Sequence, residues 1–452
     1  MKVFVQSLGC DKNLSDTEHM LSALIKSGYE ITDDETAADV VIVNTCCFIH
    51  DALEESINSV IDFGRLKEDG NEKALIVTGC MAERYTDEIK TDLPEVDGVI
   101  GTSSYDKVPE MIEDILKRKG ISSDSTDEDG PVVLKDDLSR LPDESEGRIR
   151  TNPIPYAYLK IAEGCNKMCS YCVIPYVRGP YRSVPMESLI KEAEGLAADG
   201  IKELILVAQE TTLYGTDIYK KKCLPELINR LSDIDGIEAI RLLYAYPEEL
   251  TKDVVDVIRW NKKVLHYIDN PIQHASDNIL KKMGRKTTKA DLLDGIKKMR
   301  GLIPHIAIRT TVMVGFPGET EEDFEELKSF IKEVKFDHLG AFTYSREEGT
   351  KAYYFENQVD EETAQRRYDE IMSIQKEISL KKNQSLVGKT FPAMIEGYMP
   401  EDGVLSARIY RDAPGVDGTL FIESDHEYIS GTILKARITE VNEYDYKGEL
   451  VS

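Results

Sequence analysis

The stretch GCNKMCSYCVIP, residues 164–175, places Cys165, Cys169 and Cys172 at the spacing C-x3-C-x2-C directly behind a strand-like run, Tyr158–Ala162. A cubic four-iron cluster takes four thiolates as a rule, so three of them within eight residues leave one iron open to a substrate or cofactor. Structural zinc is the plain alternative. Such sites are closed by four ligands, and the next histidine after these cysteines is His266. The alternation of strand-like and helix-like patterns that starts here lasts to about residue 345. Strand candidates are Tyr158–Ala162, Glu203–Ala208, Ala239–Leu243, Leu265–Ile268, Ile306–Val314 and His338–Tyr344, separated by helical stretches such as Met186–Ala198 and Glu321–Val334. Six successive βα units predict a full or partial (β/α) barrel, whose reacting groups come from the loops after the strands. Cys165, Cys169 and Cys172 follow the first.

Upstream, residues 1–120 also alternate, which predicts an α/β domain with a mostly parallel sheet. Its strand candidates are Lys2–Gln6, Val40–Asn44, Ala74–Thr78 and Gly98–Ile100; a helix runs from about His50 to Leu66, and Ser15-Asp16-Thr17-Glu18 reads as a capping box opening the first helix. Cys10, Cys46 and Cys80 stand one to four residues beyond three of these strands. Ligands of open parallel sheets gather beyond the carboxyl ends of the strands. Three cysteines distant in sequence are therefore expected to converge on one edge and hold a second open cluster.

Residues 121–150 are polar and acidic and read as a linker. The barrel region, 151–384, closes with a long charged helix, about Asp360–Asn383. Residues 385–452 change character: the short alternating runs Phe391–Glu396, Leu405–Tyr410, Thr419–Ile422 and Ile433–Val441 are broken by Gly, Pro and Asp. A small antiparallel β-barrel is predicted there.

The whole chain has 452 residues, for which about three domains are expected, and 56 Lys and Arg against 83 Asp and Glu, a net charge of −27. Such a field repels phosphate backbones and attracts basic partners. No apolar run approaches the roughly 18 residues that cross a bilayer, and the start MKVFVQSLGC has no secretory pattern. A cytoplasmic protein is expected. In a reducing compartment clustered cysteines serve as metal ligands or catalytic thiols rather than disulfides. Cys47 and Cys223 have no partner at motif spacing and read as packed thiols.

The segment GCNKMCSYCVIP resembles the radical S-adenosylmethionine superfamily. With SLGCDKN, VNTCCF and VTGCMAERY in the same order, nearly the whole chain resembles the methylthiotransferase family. That resemblance implies two four-iron clusters, one held by Cys165, Cys169 and Cys172 and binding S-adenosylmethionine, the other held by Cys10, Cys46 and Cys80 and carrying sulfur. It implies no catalytic residue beyond these ligands. It places Tyr171, Gln209, Arg309, Gly315 and Phe316 against S-adenosylmethionine, and requires an external reductant and a sulfur donor. A terminal TRAM-like barrel is part of the pattern.

Substrates in the family divide between modified adenosine in transfer RNA and an aspartate of a small-subunit ribosomal protein. Residues 385–452 carry 6 Lys and Arg against 12 Asp and Glu, which suits a basic ribosomal protein better than RNA. The segments SLGCDKN, YAYPEEL and DAPGVDG also resemble the ribosomal-protein branch. The expected reaction adds a methylthio group to the aspartate β-carbon. Two rivals stand beside it. One is the transfer-RNA reaction, gripping RNA through Lys281, Lys282, Arg285 and Lys286. The other is a non-catalytic two-cluster electron carrier, although carriers usually close all four ligands. His274 reads either as a site residue or as a buried, hydrogen-bonded histidine. Arg178 and Arg182 read either as contacts to an acidic substrate group or as solvated loop residues.

Overall fold

The structure, a computed structural model, describes residues 1–69, 74–120, 130–145, 147–151 and 153–451. The chain forms two units: residues 1–151, 162–168 and 172–184 make the first, and residues 152–161, 169–171 and 185–452 the second.

The first unit is built on a parallel sheet of β1 (Lys2–Ser7), β2 (Glu30–Ile31), β3 (Val40–Thr45), β4 (Ala74–Gly79), β5 (Gly98–Ile100) and β6 (Val132–Leu134), in the spatial order β2-β1-β3-β4-β5-β6. The runs VVIV and ALIV become β3 and β4 at its centre because both faces of these strands are covered, and every residue in them is buried. One face packs Val41, Val43, Leu75 and Val77 against Val60 and Phe63; the other packs Val40, Ile42, Ile76 and Ile100 against Met20, Leu24 and Ile112. Strand order reverses between β1 and β3, so the crevice beyond these two carboxyl ends is the expected ligand position.

Two expectations fail in this unit. Helix α1 spans Asp11–Lys26 and starts on Cys10, so Ser15–Glu18 lie within the helix and cap nothing. Thr17 instead donates its hydroxyl to Ser7, at 3.0 Å, and Glu18 takes Arg148 at 2.5 Å. The linker reading fails over 130–150. Val132–Leu134 adds to the sheet edge in register with Gly98–Ile100, and Lys135, Asp136 and Arg140 pair with Glu83, Lys107 and Asp106. A strand this short inside an acidic stretch has too few apolar residues for its period to be visible. Residues 121–129 lie outside the described part.

Gly79 joins β4 to the short helix Cys80–Arg84 with φ +89°. A Cβ there would lie 2.4 Å from Asn44 Oδ1 and 2.5 Å from the Thr45 carbonyl. Gly79→Ala therefore combines left-handed strain with a backbone clash and is expected to destabilise the protein by about 2 kcal/mol or more; an unchanged urea midpoint would contradict this.

The second unit begins with six parallel strands: β7 (Tyr156–Lys160), β8 (Glu203–Val207), β9 (Ala239–Leu242), β10 (Tyr267–Asp269), β11 (Ala307–Val314) and β12 (His338–Thr343). They pair as two triplets, β7-β8-β9 and β10-β11-β12, joined by a parallel bridge between Ile240 and Val264. This is the expected partial barrel. Thr288 with Asp291 and Thr320 with Asp323 form capping boxes at two of its outer helices, and the helix Glu361–Gln384 packs along β12.

The last segment closes into a barrel of β13 (Thr390–Met399), β14 (Val404–Ile409), β15 (Leu420–Glu423), β16 (Ile433–Val441) and β17 (Tyr446–Leu450), in the order β13-β14-β15-β17-β16. All pairs are antiparallel except β15 with β17. The sequence pattern missed β17, where only Tyr446 is fully buried.

The segment RDAPGVDG, residues 411–418, plugs the end of the larger barrel where its strands start. Ala413 lies in the core with Ile205, Val207, Leu243, Tyr267 and Ala307. Arg411 pairs with Asp337 at 2.5 Å, and Asp417 accepts the Tyr267 hydroxyl at 2.7 Å and lies 3.4 Å from Arg309 Nε. Arg408 pairs with Glu203 at 2.6 Å, and Arg241 with the same carboxylate at 2.7 Å. Among the described residues no helix is long and apolar enough to cross a membrane.

Candidate metal centres

In the first unit Cys10 caps α1 after β1, Cys46 follows β3, and Cys80 is the first residue after β4. Three loops from one sheet edge meet here. Gly9, at φ +88°, lets the Cys10 turn pass so close to Cys46 that a Cβ would lie 3.1 Å from the Cys46 sulfur. Asn13 fixes the turns by donating to the carbonyls of Leu8 (2.9 Å) and Thr45 (3.0 Å), and the Ser56 hydroxyl holds both the N–H and the carbonyl of Cys46. Burial pushes the thiol of Cys80 strongly upward, with Arg178 opposing the shift, and burial also raises that of Cys46, opposed by the Phe48 N–H. Thiolates in such a place need a cation. A metal that displaces the thiol protons fits this donor set.

Arg178 is the cation already present. Its side chain is 2% exposed. Nε donates to Cys80 Sγ at 3.3 Å, Nη1 reaches Asp16 at 2.7 Å and Glu163 at 3.1 Å, and Nη2 donates to Asn13 Oδ1. Its neighbour Arg182 is buried and donates to the carbonyls of Arg178 and Pro180. Neither is a solvated loop residue and neither is open to a substrate carboxylate, because the segment after Cys172 folds onto the first unit. Val173 and Val177 join its core.

The loop after β7 carries Cys165, Cys169 and Cys172. In the first unit the Cys165 N–H is held by the Gly179 carbonyl at 3.1 Å. In the second, Ser170 next to Cys169 is tied to the backbone of Lys282, Met283 and Ala352. The Tyr171 ring meets Phe316 edge-on at 6.4 Å. Phe316 is fully buried and meets Tyr344 and Phe355 edge-on as well, so its ring supports Tyr171. Gly315, at φ +73°, is needed because a Cβ would strike Ala364 of the long helix at 2.6 Å. Gln209 stands two residues beyond β8, beside the buried Glu210. Arg309 is held by Asp269 at 3.2 Å and by Asp417 of the plug. The second unit thus brings Tyr171 and Phe316 together; Arg309 belongs to the plugged end.

Arg285 is a residue that sequence reasoning misread. It is no part of a basic patch: its side chain is 1% exposed, stacked on Tyr246 at 4.3 Å, 3.7 Å from Glu248, and donates from Nη2 to the Pro271 carbonyl. Its Nε and Nη1 have no hydrogen-bond partner among the described residues, and Tyr171 and Cys169 both act on it electrostatically. Orphaned guanidinium hydrogens near Cys169 fit an anionic ligand group such as an amino-acid carboxylate. Lys282 is likewise engaged, on the Gly318 carbonyl at 3.0 Å. His274 is fully buried, with Nδ1 accepting the Ser276 N–H at 2.9 Å and Nε2 3.3 Å from Glu319. The structural role is the one it fills. Cys47 packs in the core of the first unit, and Cys223 is buried with its thiol on the Lys221 carbonyl.

A partial barrel of six parallel strands with C-x3-C-x2-C behind the first defines the class, the radical S-adenosylmethionine enzymes, and residues 159–331 match the model of the radical SAM superfamily. Residues 2–101 match the uncharacterized protein family UPF0004, and residues 387–451 the TRAM domain. Among solved structures, the radical S-adenosylmethionine methyltransferase TsrM from Kitasatospora setae shares the fold, with TM-score 0.55 and 16% identity over 75% of this chain and 72% of that one. The cobalamin-dependent radical enzyme OxsB matches at TM-score 0.50 and 14% identity, over 83% of this chain and 56% of the other.

Curated relatives narrow the class. The ribosomal protein uS12 methylthiotransferase RimO of Lachnoclostridium phytofermentans is 48% identical over 99% of both chains. That of Thermoanaerobacter sp. is 49% identical over 99% of both, and that of Clostridioides difficile 45% over 100% of this chain and 99% of its own. The chain belongs to the RimO family of radical S-adenosylmethionine methylthiotransferases.

Proposed function

We propose that this protein transfers a methylthio group to the β-carbon of an aspartate in ribosomal protein uS12, in the cytoplasm, with S-adenosylmethionine and two four-iron clusters as cofactors. The observation that carries the chemistry is the meeting of Cys10, Cys46 and Cys80 at the switch point of a parallel sheet, in a chain alike from end to end to uS12 methylthiotransferases. Cys165, Cys169 and Cys172 would hold the cluster that binds S-adenosylmethionine, and Cys10, Cys46 and Cys80 the one that carries sulfur. When bound, these groups supply the radical that activates a C–H bond and the sulfur that replaces its hydrogen.

The residues of the chain bind and orient. Tyr171 and Gln209, with the backbone of Gly315–Gly318, are assigned to S-adenosylmethionine. Phe316 acts by bracing Tyr171, and Arg309 by anchoring the plug. Arg285 would receive the carboxylate. The terminal barrel faces the substrate's charge: Arg408 and Arg411 are buried in ion pairs, leaving Lys389, Lys435, Arg437 and Lys447 exposed, two of them already paired with Glu449 and Glu440. Such a surface attracts a basic ribosomal protein and repels RNA phosphates.

The test is anaerobic. Reconstituted protein with reductant, sulfide and S-adenosylmethionine is given either uS12 or transfer RNA, and each is analysed by mass spectrometry. A methylthio gain on an aspartate of uS12 is expected. A gain on adenosine instead would overturn the assignment.

A further inference from the structure

We propose that Arg178 is a positioning residue of the sulfur-carrying cluster: its Nε–H points at the Cys80 sulfur and holds that cluster's reduction potential above the value three thiolates alone would set. This deepens, and rests on, the reading that Cys10, Cys46 and Cys80 hold iron.

The orientation of the guanidinium is determined at every nitrogen. Nη1 is taken by Asp16 and Glu163 and Nη2 by Asn13, so Nε is left for the 3.3 Å contact with Cys80. Asn13 itself touches the cysteine site, with its Oδ1 4.0 Å from Cys10 Sγ. The backbone is equally fixed. The Arg178 N–H donates to the Ile174 carbonyl at 2.7 Å, and the next residue, Gly179, has φ +73° where a Cβ would lie 2.5 Å from the Leu138 carbonyl.

A buried cation beside a ligand sulfur lowers the electrostatic cost of adding an electron to the cluster, and hydrogen bonds to cluster sulfurs and net charge are the protein's means of setting that potential. Low local polarity enlarges the effect. Asp16 and Glu163 act in the opposite sense. The guanidinium and its two carboxylates sum to one negative charge, so removing Asp16's charge should move the potential the other way from removing Arg178's.

The experiment uses the full chain carrying Cys165→Ala, Cys169→Ala and Cys172→Ala, reconstituted anaerobically so that one cluster remains, with iron analysis and an EPR-monitored redox titration. Absence of iron and of a cluster signal in this parent would sink the reading of the cysteines, and with it the role of Arg178. In a loaded parent, Arg178→Gln is expected to lower the midpoint potential and Arg178→Lys, which keeps the charge but loses the fork, to lower it less. Asp16→Asn is expected to raise it. Equal potentials at equal iron content across the set would overturn the proposal. Should Arg178→Gln fail to fold, the opposite shifts of Arg178→Lys and Asp16→Asn decide alone: both present supports it, either one missing overturns it.

Discussion

Alanine at Cys80 is expected to end methylthio transfer while sparing cleavage of S-adenosylmethionine. Cys80 is the first residue of a helix, it follows a glycine that admits no side chain, and its sulfur takes the Arg178 Nε–H. None of its neighbours among the described residues offers a thiol that could replace it except Cys47, whose side chain is committed to the core. With one of three ligands lost, iron content should fall from about eight to about four atoms per chain, one four-iron cluster in place of two. The loss of product should exceed the roughly 100-fold that follows removal of an outer-shell partner of a metal ligand. Cys169→Ala should also end methylthio transfer, but with no 5′-deoxyadenosine formed. Iron assay, chromatography of the nucleoside and mass spectrometry of uS12 separate the two variants. Full iron content in Cys80→Ala, or undiminished methylthiolation, would remove the first cluster from the mechanism.

The second large effect lies far from the chemistry, at the plugged end of the barrel. Asp337 accepts Arg411 Nη2 at 2.5 Å, Lys382 Nζ at 2.8 Å and the Ile308 N–H at 3.1 Å. Asp337→Ala leaves a buried guanidinium and an ammonium group without their carboxylate, a change that typically costs about 3–5 kcal/mol. The urea midpoint of the second unit should fall accordingly. Residues 411–418 should become open to proteolysis, because Arg411 begins the plug. The same carboxylate carries a pH signature. Burial would raise its pKa, but Lys382 and Arg411 outweigh burial and bring it from the ordinary 3.8 to about 2. The folded value is the lower one, so the stabilisation is complete above pH ~4 and is lost as pH falls toward 2, roughly 2 kcal/mol in all. Asp337→Asn should abolish that part of the acid dependence. A variant that keeps both the midpoint and the acid limb of the wild type would show that the plug does not depend on this carboxylate.

The two local signals in the chain were of very different strength. Cys165, Cys169 and Cys172 are neighbours in sequence, so their spacing is itself geometry, and the six βα units behind them were legible because each buried strand is a short apolar run between turn residues. Cys10, Cys46 and Cys80 became legible only through the rule that parallel strands present ligands at their carboxyl ends. The pattern erred where local composition and tertiary burial part company. Ser15–Glu18 look like a helix start, yet the helix had already begun at Asp11. The acidic stretch around Val132 looks unstructured, yet three residues suffice to extend a sheet edge already formed by Gly98–Ile100.

Charged residues were misread for one common reason. Arg178, Arg285 and Arg309 all looked like surface or ligand-binding cations, because an arginine in a sequence carries no mark of burial. What buries them are carboxylates and backbone from remote parts of the chain: Asp16 and Glu163 for Arg178, Glu248 for Arg285, Asp269 and Asp417 for Arg309. The amino-acid sequence by itself determined the order of the three folded regions, the two sets of thiols and the acidic character of the terminal barrel, since each is written in residues close together or in simple sums of charge. Only the tertiary structure decided which cations work inside the protein, because an ion pair buried between segments 15 to more than 160 residues apart exists only once both have been carried to the same place.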